Sequence, residues 1–401
     1  MALATAGAAL PFASERSLAQ LSNLGRLPDD AVKINANEFW MPPTEAALAA
    51  LAEAARHGNR YQYPETDDFL AACSTQLGVG RDHLAAYPGS SLALHHAVIA
   101  FTGPKRALVT SDPGYEAAAS AASFIGAPVV RVPLAKSGAH DVRAMQERAK
   151  AVGAGLLYVC NPNNPTGTVT PRAEIEWLYE KRPAGSALLL DEAYIHFCDE
   201  PTAMDWVAAG RDVIVLRTFS KIYGMAGLRA GLAVARPDLL KRVTAWQTGA
   251  LPATAMAAAR AMLADPALVP ARKQALATAR ADVMRFFDEH GFAHTASVSN
   301  KLMVDARLPT QTVIERLAAR VHHQLVAHRR GVREVVRVEE PHHVGAARRK
   351  RLLASGHERG IGQHDAGRRH RGRRERAGLP GRDALQAVSY THLTLPTTSR
   401  V

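Results

Sequence analysis

Two cations, Lys221 and Arg229, lie eight residues apart in the stretch TFSKIYGMAGLRAG (218–231), with no acidic residue between them. A lysine at a strand's end in an apolar pocket holds its proton less tightly and condenses with an aldehyde. An arginine presents a planar fork of donors that suits a phosphate. Thr218 and Ser220 add hydroxyls, and the glycines at 224, 227 and 231 let backbone approach closely. The chemistry on offer is capture of an anionic ligand that carries a carbonyl. The plain alternative is a surface lysine and a structural arginine.

Other segments point the same way. LLLDEAYIHF (188–197) sets Asp191 after three leucines. A carboxylate there is costly to bury unless it meets a donor or cation, and a protonated heterocycle nitrogen is such a partner. Tyr194, three residues on, reaches the same ligand with its phenol; the alternative for Asp191 is a helix cap or a structural ion pair. NPNNPTG (161–167) follows an apolar run, and its prolines and glycine stop a strand and make a tight turn. Its asparagine amides can donate to a ligand oxygen or simply brace the turn. In YPGSSLALHHAVIAF (87–101) a β-type end passes through Gly89, Ser90 and Ser91 into a helix, whose free amides favour an anion. DPGYEAA (112–118) places Tyr115 where its ring stacks on a flat ligand or merely packs.

Each segment needs an element to hold it, and the pattern between residues 30 and 305 supplies them. Short β-type runs are predicted at 106–110, 128–133, 156–160, 187–191, 213–217 and 232–235. Helix-like stretches lie at 91–101, 115–125, 142–151, 171–182 and 237–248. Alternation of this kind predicts an α/β domain with a mostly parallel central sheet flanked by helices, which takes ligands at the carboxyl ends of its strands. A long helix is predicted over 269–290, leading into a smaller C-terminal α+β domain with a strand at 301–305 and a helix at 312–320. The predicted organisation is an N-terminal arm (1–29), a large domain (30–265), a partial small domain (266–326) and an anomalous tail (327–401).

Composition bounds the function classes. With 401 residues, 47% hydrophobic and 21% charged, the chain is globular. Cys73, Cys160 and Cys198 have no paired spacing, so neither a disulfide framework nor a metal site is expected, and a reducing compartment follows. The opening MALATAGAALPFASERSLAQ lacks the positive start of a secretory signal; it reads as an arm or as the trailing half of a signal. A cytoplasmic location is expected, export being the alternative. No run reaches about 18 uninterrupted apolar residues, so no membrane helix is expected.

The net charge of +12 is concentrated: residues 327–383 hold sixteen Lys/Arg against seven Asp/Glu. That stretch shows neither helical nor strand periodicity and has too few apolar residues to complete a core. Three readings compete: a basic arm for nucleic acid, a solvated tail, or an out-of-frame reading of GC-rich DNA ending in adapter-like AVSYTHLTLPTTSRV. No aromatic residue interleaves the basic run to stack on bases. The out-of-frame reading is preferred, and nucleic acid is not the expected partner.

Taken in order, GSS, DPGY, NPNNPTG, DEAY and SKIYGMAGLRAG resemble the fold-type I pyridoxal-phosphate aminotransferases of class I/II, in their histidinol-phosphate aminotransferase branch. INANEFWMPP (34–43) and NRYQYPETDDFLAACSTQLGV (59–79) support that branch, and the resemblance spans about residues 30 to 325. It implies the aspartate-aminotransferase type of fold, pyridoxal 5′-phosphate as cofactor, 2-oxoglutarate as amino acceptor, a place in histidine biosynthesis and a homodimer. By resemblance, Lys221 binds the cofactor's aldehyde and shuttles a proton, and Asp191 pairs with the pyridine nitrogen. Tyr194 and Asn164 bond the ring's 3-oxygen, while Tyr115 stacks on the ring. Gly89, Ser90, Ser91, Thr218, Ser220 and Arg229 hold the phosphate. Tyr63 reaches the neighbouring subunit's cofactor, and Asn37 lines the substrate site.

One departure stands out. The family binds the substrate carboxylate with an arginine in a C-terminal Val-Arg-Ile/Val stretch, and here only Arg337 in VVRVEE offers one, without the turn that normally follows. An out-of-frame tail leaves cofactor binding intact and turnover weak or nil. A decarboxylase acting on amino-acid phosphates shares nearly all these motifs and is the alternative within the fold. A non-catalytic nucleic-acid-binding protein is the alternative outside it.

Overall fold

A computed structural model of the protein describes residues 36–308, the helical positions 312, 313 and 316, and a strand at 388–391. Its centre is a seven-stranded sheet, in spatial order β1 (Leu84–Tyr87), β7 (Gly231–Ala235), β6 (Val213–Thr218), β5 (Ala187–Asp191), β4 (Leu156–Cys160), β2 (Leu108–Asp112) and β3 (Val129–Pro133). Strands β3, β2, β4, β5 and β6 run parallel, and β7 is antiparallel to both β6 and β1. Every residue of β4, β5, β6 and β7 is buried. That explains their unbroken Leu/Val/Ile runs: helices cover both faces, so no polar alternation is needed.

The helices are α1 (Glu45–Arg56), α2 (Tyr63–Leu77), α3 (Ser90–Phe101), α4 (Glu116–Phe124), α5 (Val142–Val152), α6 (Arg172–Lys181), α7 (Met204–Ala208), α8 (Pro237–Thr244), α9 (Ala253–Leu263) and α10 (Leu268–Glu289). Local chemistry sets several ends. The Thr44 hydroxyl accepts from the Ala47 amide at 3.3 Å to cap α1, and the Asp141 carboxylate accepts from the Ala144 amide at 3.0 Å to cap α5. Helix α9 packs along α1 and α2, where Arg260 reaches Asp68 at 3.2 Å.

The predicted alternation is present, with most ends displaced by a residue or two; β2 begins at Leu108 rather than Arg106, while α8 stops at Thr244, four residues short of the predicted end at 248. Helices α1, α2, α7 and α9 go beyond the predicted set. In α1 and α9 alanine fills both faces, so apolar periodicity is faint there. Within the anomalous tail, beyond the stretch 327–383 that shows no periodicity, β9 (Val388–Thr391) pairs antiparallel with β8 (Lys301–Val304) in a separate two-stranded sheet. Val-Ser-Tyr-Thr has strand-forming side chains, and β8 offers an open backbone edge. The predicted arm at 1–29, most of the 312–320 helix and the rest of the tail lie outside the described residues. Among the described residues no helix is long and apolar enough to cross a membrane.

Candidate active site

Strand polarity gathers the chemistry-bearing segments at one edge. The parallel strands end there in Asp112, Cys160, Asp191 and Thr218, and β1 leads there into Gly89. Because β7 is antiparallel, its first residue, Gly231, lies at that same edge, two residues after Arg229. After β3 the chain crosses back over β2 to β4, and the strand order reverses between β2 and β4, where an open sheet leaves a crevice.

A cavity of about 300 Å³ opens there, lined among others by Asn37, Ser90, Ser91, Tyr115, Asn164 and Asp191. Tyr194, Thr218, Ser220, Lys221 and Arg229 complete that wall. The structure thus brings together eleven of the side chains singled out in the sequence. Tyr63 does not line the cavity; it stands exposed at the start of α2, its ring 6.0 Å from that of Tyr61. Arg337 lies outside the described residues.

Lys221 donates from Nζ to the Asn37 carbonyl at 2.6 Å, and the Asn37 side-chain amide donates to the Tyr194 hydroxyl at 2.7 Å. The segment carrying Asn37 is pinned from outside the sheet. The Asn300 amide donates to the Glu38 carbonyl at 3.1 Å, and Arg272 donates to the carbonyls of Pro42 and Ile222, tying it to the Lys221 loop.

Asp191 is 3% exposed. Its described hydrogen-bond partners are the Tyr158 hydroxyl and the Ala193 amide, both at 3.0 Å. Burial pushes its carboxyl above the usual range, although those two bonds and the nearby Lys221 and Lys301 charges oppose the shift. A strand sends successive side chains to opposite faces, so neighbouring Glu192 turns away from the cavity. There it pairs with Arg217 at 2.8 Å, and Arg217 also donates to His196 at 2.7 Å. Burial and that guanidinium keep His196 well below its ordinary range, hence a neutral acceptor. Asp191, not Glu192, is therefore the carboxylate offered to a ligand.

The same sorting decides among the asparagines. Asn161 exchanges two bonds with the Thr170 backbone, at 3.0 and 2.9 Å. Asn163 donates to Thr166 at 2.9 Å and to the Pro113 carbonyl at 3.2 Å. Both brace the turn, which leaves Asn164 on the cavity wall.

At the other end of the cavity the donors suit an anion. Arg229 has φ 69°, a left-handed backbone uncommon for a non-glycine residue, and its Nη1 donates to Ser220 Oγ at 3.2 Å. The helix α3 starts beside it with its first amides unpaired along the helix axis. A Cβ on Gly231 would lie 2.6 Å from the Gly89 carbonyl carbon and 2.7 Å from the Ser90 amide nitrogen. Only glycine lets β7 pass this close to the helix start. Gly231→Ala is expected to displace α3 from Arg229, destabilising the fold by about 1–3 kcal/mol. A thermal melt and a cofactor titration, both weakened, check this; an unaltered titration would refute the close-approach argument.

These residues fit a flat, phosphate-bearing heterocycle with an aldehyde. A buried carboxylate awaits a cationic ring nitrogen, an amine faces the cavity, and hydroxyls, amides and a guanidinium close one end. Residues not singled out in the sequence also belong here: Tyr158, which bonds Asp191; Cys160, on the cavity wall; and Lys301, behind Tyr194. A tyrosine within LLYVC and a lysine opening KLMV look like ordinary strand residues. The signal was the polar side chain inside an otherwise apolar strand.

Comparison with known proteins agrees with this geometry. A family model for aminotransferase class I and II matches residues 29–335. The chain is 37% identical over 280 residues to histidinol-phosphate aminotransferase 1 of Cupriavidus pinatubonensis, covering 67% of this chain and 72% of that protein. It is 35% identical over 275 residues to an aromatic amino acid aminotransferase of Streptomyces avermitilis, covering 67% and 76%. Among solved structures it is similar to histidinol-phosphate aminotransferase from Sinorhizobium meliloti in complex with pyridoxal-5′-phosphate. There the TM-score is 0.68 at 27% identity, over 75% of this chain and 82% of that one.

Proposed function

The chain belongs to the class I and II aminotransferase family, enzymes dependent on pyridoxal 5′-phosphate, and from that premise we propose its substrates and the work of its residues. The amino donor is an amino acid or amino-phosphate with an aromatic or imidazole-sized side chain, and 2-oxoglutarate is the acceptor. The names of the relatives support that donor class, as does the aromatic character of Phe39 and Trp40, whose rings lie 4.4 Å apart next to Asn37 and Glu38 on the cavity wall. The bound cofactor supplies an electron sink for the carbanion left when the substrate loses a proton.

Lys221 holds the cofactor and, once released, moves the proton at the substrate carbon. Asp191 keeps the pyridine nitrogen protonated. Tyr194 and Asn164 orient the ring through its 3-oxygen, and Tyr115 covers its face. Gly89, Ser90, Ser91, Thr218, Ser220 and Arg229 receive the phosphate, while Asn37 faces the substrate. Tyr63, exposed here, serves the cofactor of a second copy, which makes the working form a homodimer. The observation that carries this reading is one cavity with Asp191 at one wall, Lys221 at another and the anion-binding set at its end.

The test is an absorption spectrum of the protein with pyridoxal phosphate before and after borohydride. The expected result is a band near roughly 410–430 nm, as for this cofactor joined to a lysine, that borohydride abolishes by fixing the cofactor to Lys221. No band at saturating cofactor would overturn the assignment. With a donor and 2-oxoglutarate, oxo-acid product is expected; carbon dioxide without oxo acid would favour the decarboxylase.

A further inference from the structure

Lys301 has no part in the chemistry assigned above, yet it is among the most deeply buried charged groups of the described chain, at 3% exposure. It opens β8, and its Nζ lies 2.9 Å from the centroid of the Tyr194 ring and 3.2 Å from Ser299 Oγ, to which it donates. Lys221 Nζ lies 5.4 Å from that same centroid. Tyr194 therefore has two lysines against one ring. Among the described residues Lys301 Nζ forms no ion pair, its one hydrogen bond going to Ser299, although buried lysines normally take a carboxylate partner.

We propose that Lys301 is a positioning residue: its ammonium, seated on the Tyr194 ring behind the cavity, lowers the proton affinity of the lysine-bound cofactor and holds the Tyr194 phenol in place. The inference rests on the cofactor assignment made for Lys221.

The charges around Lys301 can be enumerated. Cys160 faces it from β4, Asp191 and Tyr194 from β5 and its following turn, and Lys221 from the loop after β6. Glu38 lies exposed at the cavity wall, with Tyr115 across the crevice and Arg229 at the anion-binding end. Burial pushes the Lys301 ammonium well below the usual lysine range and the Lys221 charge adds to that, while Cys160 and Asp191 oppose it. In the loaded site the cofactor's phosphate and ring oxygen bring further negative charge, and the π face of Tyr194 attracts a cation. Whether Lys301 carries its proton in the loaded site is what a Lys301→Met variant reads.

The sign follows. A fixed positive charge disfavours a second proton nearby, so the lysine-bound cofactor gives up its own proton at lower pH when Lys301 is charged. Removing the charge raises that midpoint.

The experiment is a pH titration of the visible band of the cofactor-loaded protein without substrate, for the unaltered chain, Lys301→Met and Lys301→Arg. An apolar residue of similar length suits a buried site, since replacing a buried charge by packed apolar atoms is often neutral for folding. Lys301→Met is expected to move the midpoint up by about one pH unit, the scale of one nearby charge in a protein interior. Lys301→Arg is expected to stay close to the unaltered value. A midpoint unchanged in Lys301→Met would overturn the proposal, as would equal shifts in both variants, which would mark a packing effect. If Lys301→Met fails to hold cofactor, Lys301→Gln takes its place with the same two criteria. Absence of a visible band in the unaltered protein would instead overturn the cofactor assignment.

Discussion

Lys221→Ala protein is expected to lose the visible band of lysine-bound cofactor and about 10⁴-fold or more in transfer rate, because covalent capture and proton transfer are both proposed for one amine. The structure sets this expectation through position. Lys221 Nζ is held on the cavity wall by the Asn37 carbonyl at 2.6 Å, and the segment carrying Asn37 is pinned by Asn300 at the Glu38 carbonyl and by Arg272 at the Pro42 carbonyl. The other lysine near the cavity, Lys301, points at the Tyr194 ring from behind. The loss is read directly by spectrum and by single-turnover kinetics with an amino donor. A band persisting in Lys221→Ala would show that Lys301 captures the aldehyde, and the assignment would fail.

Asp191→Asn is expected to weaken cofactor binding by about 10²- to 4 × 10³-fold, the effect of breaking a buried charge pair worth roughly 3–5 kcal/mol. Asparagine keeps an acceptor for the Tyr158 hydroxyl or the Ala193 amide, so the fold survives and the charge is what changes. The pH dependence has a definite sign. Burial raises the Asp191 carboxyl in the empty site, so as pH falls through its value the carboxylate is lost and cofactor affinity drops with it. Above that value the carboxylate is ready for the pyridinium. Equilibrium binding of pyridoxal phosphate across the acid range should show this slope in the unaltered protein and none in Asp191→Asn. An Asn variant with undiminished affinity would mean that Asp191 is a structural carboxylate held by Tyr158.

How much was legible in the sequence varied with the element. Strands β4 and β5 were predicted residue for residue, because a run buried on both faces is written as an apolar string ending at a polar residue. Alanine-rich α1 and α9 were not, since alanine fits either face of a helix and leaves little periodicity. The tail's β9 went unforeseen because pairing depends on a partner edge elsewhere in the chain. In the site, Lys221, Asp191 and Arg229 stood out as charges in apolar or glycine-rich company. Tyr158 and Lys301 did not, because a side chain inside a strand can turn toward either face and the sequence does not say which.

By itself the sequence determined the list of reactive groups and the elements that carry them: a lysine, a carboxylate, hydroxyls and an arginine, each just beyond or just before a strand. Spacing along the chain fixes such local facts, since turn and strand preferences act over a few residues. Only the tertiary structure decided which groups meet. Antiparallel β7 brings Arg229 back beside the start of α3, so two segments 140 residues apart form one anion site. Pleat alternation sends Asp191 to the cavity and Glu192 to Arg217, and bracing of Asn161 and Asn163 leaves Asn164 facing a ligand. In TFSKIYGMAGLRAG the two cations are thus given different neighbours, Asn37 for Lys221 and Ser220 for Arg229, by contacts that no short-range pattern encodes.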